Sequence, residues 1–109
     1  MPYDPGLEAR LDPIVEVWPD HEKKAMFGGI GYLLAGNMAI GIWHDSLVVR
    51  CGPERWAECL ARPHAGEFDI TGRSMRGWIL VAPEGFEDDD ELEEWLAIGR
   101  SYASTLPAK

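Results

Sequence analysis

Three groups of side chains in this sequence are of types that do chemistry, and their spacing decides what chemistry is open to each. The first is the acidic run at positions 87–94, seven carboxylates broken only by Leu92. Clustered carboxylates suit a hard divalent cation. The run nevertheless lacks the alternating Asp/Asn, the Gly and the closing Glu of a calcium loop. A solvated helix start fits better, because acidic groups are stabilised at the positive end of a helix dipole. An acidic docking face is the other use of the same segment.

The second group is His21, His44 and His64 with Cys51 and Cys59. These are ligands that zinc favours, but no Cys-x-x-Cys or His-x-x-x-His spacing brings two of them onto one turn. No zinc site is expected, and Cys59 reads as a small core residue. Cys51 is the better thiol. It follows Arg50 and precedes a helix start, surroundings that lower a thiol pKa, yet no base stands beside it in the sequence to complete a nucleophilic pair.

The third group is Arg50, Arg73 and Arg76. The segment Gly-Arg-Ser-Met-Arg-Gly at 72–77 puts two guanidinium groups on a Gly-bounded turn between strands. Two readings stay open. Such a turn can present Arg to a partner's carboxylate, or the arginines can pair on the surface with Glu54, Glu67 or Asp69, each pair worth under about 1 kcal/mol.

The elements that must position these groups follow from periodicity. Leu7, Leu11, Ile14, Val15 and Trp18 form the apolar stripe of a helix, capped by Asp4 ahead of Pro5. Pro13 lacks the N–H that would bond back to Ala9, which predicts a kink or a restart capped by Asp12; Pro19 and Asp20 end the element. From Met26 to Gly52 the period becomes two, with strands predicted at 31–35, 38–43 and 47–50. The short links at Gly36-Asn37 and His44-Asp45-Ser46 make these an antiparallel meander. Gly28-Gly29 just before it marks a bulge or a close backbone approach, and no Lys and Ser/Thr follow it to make a phosphate loop.

Gly52-Pro53 opens a short helix bearing Trp56, Cys59 and Leu60, which Arg62-Pro63 closes. Phe68 and Ile70 alternate with polar neighbours as in a half-buried strand. The run 77–81 reads as a central strand covered on both faces, stopped by Pro83-Glu84-Gly85. Leu92, Trp95, Leu96, Gly99, Tyr102, Ala103 and Leu106 then keep helical spacing from a cap within 88–90 to Leu106-Pro107. The expected fold class is α+β, in two layers, with helices packed on an antiparallel sheet in the order α-β-β-β-α-β-β-α.

Composition sets the frame. A chain of 109 residues, 46% apolar, with five Trp that each bury roughly 150–250 Å², can build one core and is expected to be one domain over 1–109. Nineteen acidic against ten basic residues give a net charge of −9, which opposes association with phosphate backbones and anionic membranes. Eight of the nineteen carboxylates fall at 84–94, whereas 50–76 is slightly basic. Two cysteines and an N-terminus without a basic, apolar leader point to a reduced, cytoplasmic setting. The longest mostly apolar stretch, 30–43, is interrupted by three Gly and an Asn and falls short of a membrane span.

Several of these residues together carry a family resemblance. Met26-Phe27-Gly28-Gly29, Gly36-Asn37-Met38, Leu47-Val48-Val49-Arg50 before Gly52-Pro53, the 72–78 segment Gly-Arg-Ser-Met-Arg-Gly-Trp, and the helix from Leu92 and Trp95 to Leu106-Pro107 resemble the N-terminal domain of the TfoX/Sxy family. The resemblance runs from about Tyr3 to Lys109. It implies a two-layer fold with roughly five antiparallel strands and helices to one side, similar to type III secretion chaperones. Two-domain members are regulators of natural competence, thought to act as co-activators with the cyclic-AMP receptor protein, and this chain stops at Lys109 where they continue into a helical second domain. The resemblance brings no catalytic residues, and the likeness to the secretion chaperones makes a homodimer one expectation.

The leading functional expectation is therefore a non-catalytic regulatory or adaptor domain that contacts another protein, with partner contacts at Phe27, Arg50, Arg73 and Arg76. No catalytic, cofactor or metal site is expected. The alternative is a ligand-binding or enzymatic domain holding an anion in a cleft near Phe27, Arg50 and Arg73. Direct DNA binding through the three arginines ranks last.

Overall fold

A computed structural model describes residues 3–69, 72 and 75–109. The first helix, α1 (Pro5–Val15), is capped by Asp4, whose Oδ1 accepts the Gly6 N–H at 2.9 Å. It is one helix with Pro13 inside it, and Asp12 does not cap a restart. Asp12 instead accepts the Tyr32 hydroxyl at 2.8 Å and pairs with Lys23.

Six strands follow in one antiparallel sheet: β1 (His21–Met26), β2 (Gly29–Leu34), β3 (Asn37–Trp43), β4 (Ser46–Arg50), β5 (Ala65–Glu67) and β6 (Trp78–Val81). The spatial order is β1-β2-β3-β4-β6-β5. The predicted fold class holds, with one strand more than expected. The extra strand is β1, whose His-Glu-Lys-Lys run carries no alternating apolar signal because it is an exposed edge. Backbone pairing with β2 makes it a strand. The two-residue turn Phe27-Gly28, with φ of 40° and 80°, closes that hairpin, and Ala35-Gly36, at 50° and 85°, closes the next. Both have the twist that suits tight hairpins, and positive φ at the second position is why Gly stands there.

Two sequence readings need correction. The strand expected around Phe68 lies earlier, at Ala65–Glu67, and Ile70 lies outside the described residues. The 77–81 run does form an interior strand, β6, but only Ile79 and Val81 are fully buried, while Trp78 and Leu80 are half-buried on the other side. The cover is complete on one face alone.

Helix α2 (Trp56–Leu60) sits at the β5–β6 side, and its Trp56 Nε1 donates to the Trp78 carbonyl at 3.0 Å. A short 3₁₀ turn (Pro83–Phe86) leads into α3 (Asp89–Ala103), which lies over β3 and β4. All three helices lie on one face of the sheet, where Leu11, Ile40, Ile42, Leu47, Val49, Ile79 and Val81 are wholly buried with Trp95 and Leu96. Burying such side chains is worth about 1.5–3 kcal/mol each and is the main driving force for the fold. Asn37, a buried polar residue, is satisfied by donating to the Pro107 carbonyl at 2.8 Å. Among the described residues no helix is long and apolar enough to cross a membrane.

Candidate functional site

Side chains alternate along a strand, so the residues that do not meet the helices share the opposite, open face. They are Met26, Leu33, Met38, Trp43, Val48, Trp78 and Leu80, joined by Phe68 and Met75 from the connection before β6, while Arg50, of the same parity, stands at the end of β4, where its side chain also reaches α3. Gly31 and Gly41 stand directly opposite one another in the centre of this face. A Cβ on Gly41 would come within 2.6 Å of Met38 Cε and 3.1 Å of Phe27 Cζ, and one on Gly31 would collide with Met26 Sδ. The pair thus forms a slot in the sheet that Met26, Met38 and Phe27 fill.

Phe27 reaches that slot from a turn with φ of 40°, a conformation that costs a bulky side chain energy. Its ring meets Phe68 edge-on at 5.6 Å. Phe68, almost fully buried, is the hub of a cluster with Trp43 at 6.4 Å and Trp78 at 6.1 Å. Phe27, Trp43 and Trp78 are each half-buried. Offset and edge-on aromatic pairs add about 0.5–1.5 kcal/mol beyond burial, so the cluster is fixed in place while leaving ring surface open to solvent.

Arg50 closes the cluster at one end. Its guanidinium lies over the Trp78 ring at 5.0 Å and the Tyr102 ring at 5.5 Å. In a chain of net charge −9, this cation has no carboxylate within ion-pair distance among the described residues. Two rings hold it, so its N–H donors stay directed and available. Arg76 is exposed beside it, since Gly77, the next residue, accepts the N–H groups of Cys51 and Gly52 at 2.9 and 3.0 Å.

The thiols are set against reactivity. Cys51 is 1% exposed, its Sγ donates to the Gly77 and Gly52 carbonyls at 3.4 and 3.5 Å, and Cys59 lies against it. Burial first, then the neighbouring Cys59, push the Cys51 thiol up to about 12. Burial likewise raises the Cys59 thiol. The cations that pull these thiols down are Arg55 and, for Cys59, also Arg62, and burial outweighs them. Among the described residues no three His, Cys, Asp or Glu side chains converge as a metal site would require, and the 87–94 carboxylates lie at the start of α3, where Asp89 and Glu94 pair with Arg10 and Arg62.

Two of the residues expected to contact a partner, Phe27 and Arg50, occupy one face, at separate points linked through Phe68 and Trp78. Arg76 adjoins Arg50, and Arg73 lies outside the described residues. Among the described residues, Phe27 lines a shallow hollow with Tyr3, Ala25 and Met26, to which Arg50 does not contribute. A cavity of 430 Å³ lies next to Arg50 and is lined by Cys51, Pro53, Arg55, Ser101, Tyr102 and Thr105. Arg55 there is already bound by Glu58 at 2.8 Å. Sequence reasoning missed Trp43, Phe68, Trp78 and Tyr102. The strand parity that places Trp43, Arg50 and Trp78 on one side was available; the position of Phe68 was not, because it depends on how the connection folds back.

A two-layer α+β domain with one helix-covered face and one aromatic, cation-tipped face is the frame these features define. The family model of the TfoX N-terminal domain matches residues 14–103, and the chain belongs to that family. No match is found among curated proteins.

Proposed function

We propose that this chain is a non-catalytic regulatory domain of the cytoplasm that binds another protein through the open face of its sheet, as an adaptor or transcriptional co-activator. The observation that carries the reading is the Phe27–Phe68–Trp78 cluster tipped by Arg50. Aromatic rings and arginine are the residue types that dominate protein interfaces, and here they are held rigidly and left half open. The acidic net charge favours a protein partner over nucleic acid. Membership of the TfoX family supports the regulatory role.

The test is quantitative affinity capture from the native cytoplasm with wild type and with a Trp78→Ser/Arg50→Glu variant whose fold is checked by circular dichroism. A specific protein held by wild type and released by the folded variant is the expected result. Equal retention by both, or no retained protein, refutes the reading.

The 430 Å³ cavity beside Tyr102 favours a second reading, a small ligand bound between α3 and the 51–55 segment. Its size suits a metabolite. A thermal-shift screen of anionic metabolites that raises the midpoint in wild type but not in a Tyr102→Ala variant would establish it, and a flat screen would dismiss it.

A further inference from the structure

The two edges of the sheet are finished differently. The β5 edge is three residues long and ends at Glu67. The β1 edge is six residues, pairs with β2 without a register shift, and among the described residues nothing pairs with its outer side. Lysines on an edge strand ordinarily repel a second strand. Here both are neutralised: Lys23 by Glu8 and Asp12 of α1, and Lys24 by Glu22 at 3.7 Å. Burial works against the Lys23 charge, but the bonds from Glu8 and Asp12 outweigh it and hold that ammonium above the usual lysine range.

The backbone restricts what this edge accepts. A two-residue hairpin closes on a hydrogen-bonded pair, here Met26 with Gly29. Bonding to β2 therefore uses Met26, Lys24 and Glu22, and the groups of His21, Lys23 and Ala25 point outward. A second β1 strand running antiparallel can bond only when outward residues face outward residues. That leaves a short series of registers. Centred on Glu22, the pairing sets Glu22 against Glu22 of the other copy. Centred on Lys24, it sets lysine against lysine. Centred on Lys23, it gives the longest ladder and places Glu22 against Lys24 at both non-hydrogen-bonded positions, where side chains stand closest; the one like-charge pair, Lys23 against Lys23, falls at the wider hydrogen-bonded position, with each ammonium already held by its own Glu8 and Asp12.

We propose that β1 is a self-complementary edge: two copies of this chain pair antiparallel through His21–Met26, in register at Lys23, joining their sheets into one. The occupant is a second copy because the strand's charges match their own reverse. This surface is separate from the aromatic face, so pairing leaves Phe27, Trp43 and Arg50 of both copies open.

Sedimentation equilibrium of wild type, Lys24→Glu, Glu22→Lys and the double swap Glu22→Lys/Lys24→Glu is the test. The substituted side chains are exposed, so each variant folds, and circular dichroism verifies it. Wild type is expected to associate with concentration, each single variant to weaken the dimer by about tenfold or more as attraction becomes repulsion at two positions, and the double swap to restore it. Under mild oxidation a Lys23→Cys variant is expected to form a disulfide dimer, since cross-strand Cα atoms about 5.5 Å apart permit one, whereas Ala25→Cys is expected to stay unlinked. A wild type that remains monomeric at about 1 mM, where even a millimolar contact populates the dimer, overturns the proposal. So does a dimer indifferent to the charge variants, or one that Ala25→Cys links as well as Lys23→Cys.

Discussion

The two faces of the sheet are built from the same strands and serve opposite ends. On the helix side, β3 and β4 contribute Ile40, Ile42, Leu47 and Val49, each with no exposed surface. One residue away along the same strands stand Gly41, Trp43, Val48 and Arg50, of which only Gly41 and Val48 are fully covered. Closure by α1 and α3 is complete on the first face. On the second it is made by Phe68, Met75 and the sheet's own aromatic rings. Stability is thus concentrated where the helices lie, and the other face carries large side chains that the fold needs less than a partner would.

The contrast can be broken in order of effect. Trp95→Ala removes a ring that is 2% exposed beneath the helices and is expected to cost about 3–5 kcal/mol in denaturant unfolding. Trp43→Ala on the open face should cost less than half as much; equal losses would erase the distinction. Next, Gly41→Val overpacks the slot already filled by Met38 and Phe27 and drives its Cβ to 2.6 Å from the Ile30 carbonyl oxygen, so it is expected to destabilise by about 3 kcal/mol while shifting the Phe27 ring resonances. Unchanged Phe27 resonances would show the slot to be loose. Tyr32→Phe, which removes the hydroxyl donating to Asp12 under α1, should cost about 1 kcal/mol.

The Cys51 thiol gives a pH test of the same closure. Its folded value, about 12, lies above the reference 9.0, so between those values the unfolded chain loses a proton that the folded chain keeps. Its contribution to stability is present below pH 9 and is lost as pH rises toward 12. Cys51→Ser should flatten that alkaline decline. A native thiol that reacts with an aromatic disulfide reagent as fast at pH 8 as free cysteine would contradict the burial. Last is Arg50→Ala, which gives up two cation–π contacts and is expected to cost about 1 kcal/mol while abolishing partner capture.

The sequence disclosed whatever rests on local pattern. The stripe of Leu7, Leu11 and Val15, the spacing of Leu92, Trp95 and Leu96, and the turns at 36 and 45 placed both long helices and three strands. β1 escaped because an edge strand is defined by its neighbour's hydrogen bonds, and Glu22, Lys23 and Lys24 carry no sign of them. The strand before β6 was placed too late because Phe68, the apolar residue that announced it, belongs to the open-face cluster and the strand itself is Ala-Gly-Glu. Phe27 and Arg50 were legible as candidate contacts through residue type; that Trp78 and Tyr102 hold Arg50 was not, because Tyr102 meets it from a helix fifty residues away in the chain.

The order β4-β6-β5 has a kinetic consequence. β5 precedes β6 in the chain but pairs only with it, so β5 has no place to dock until β6 has closed a long loop back onto β4. Hairpins β1 to β4 are local and form on the microsecond scale of about 1–10 μs, whereas the β4–β6 pairing bears most of the loop-closure entropy. Substitutions at Ile79 in β6 should therefore slow folding, while substitutions in β5 should leave the folding rate alone and speed unfolding. The last strand to settle is the one the ribosome finishes before its neighbour.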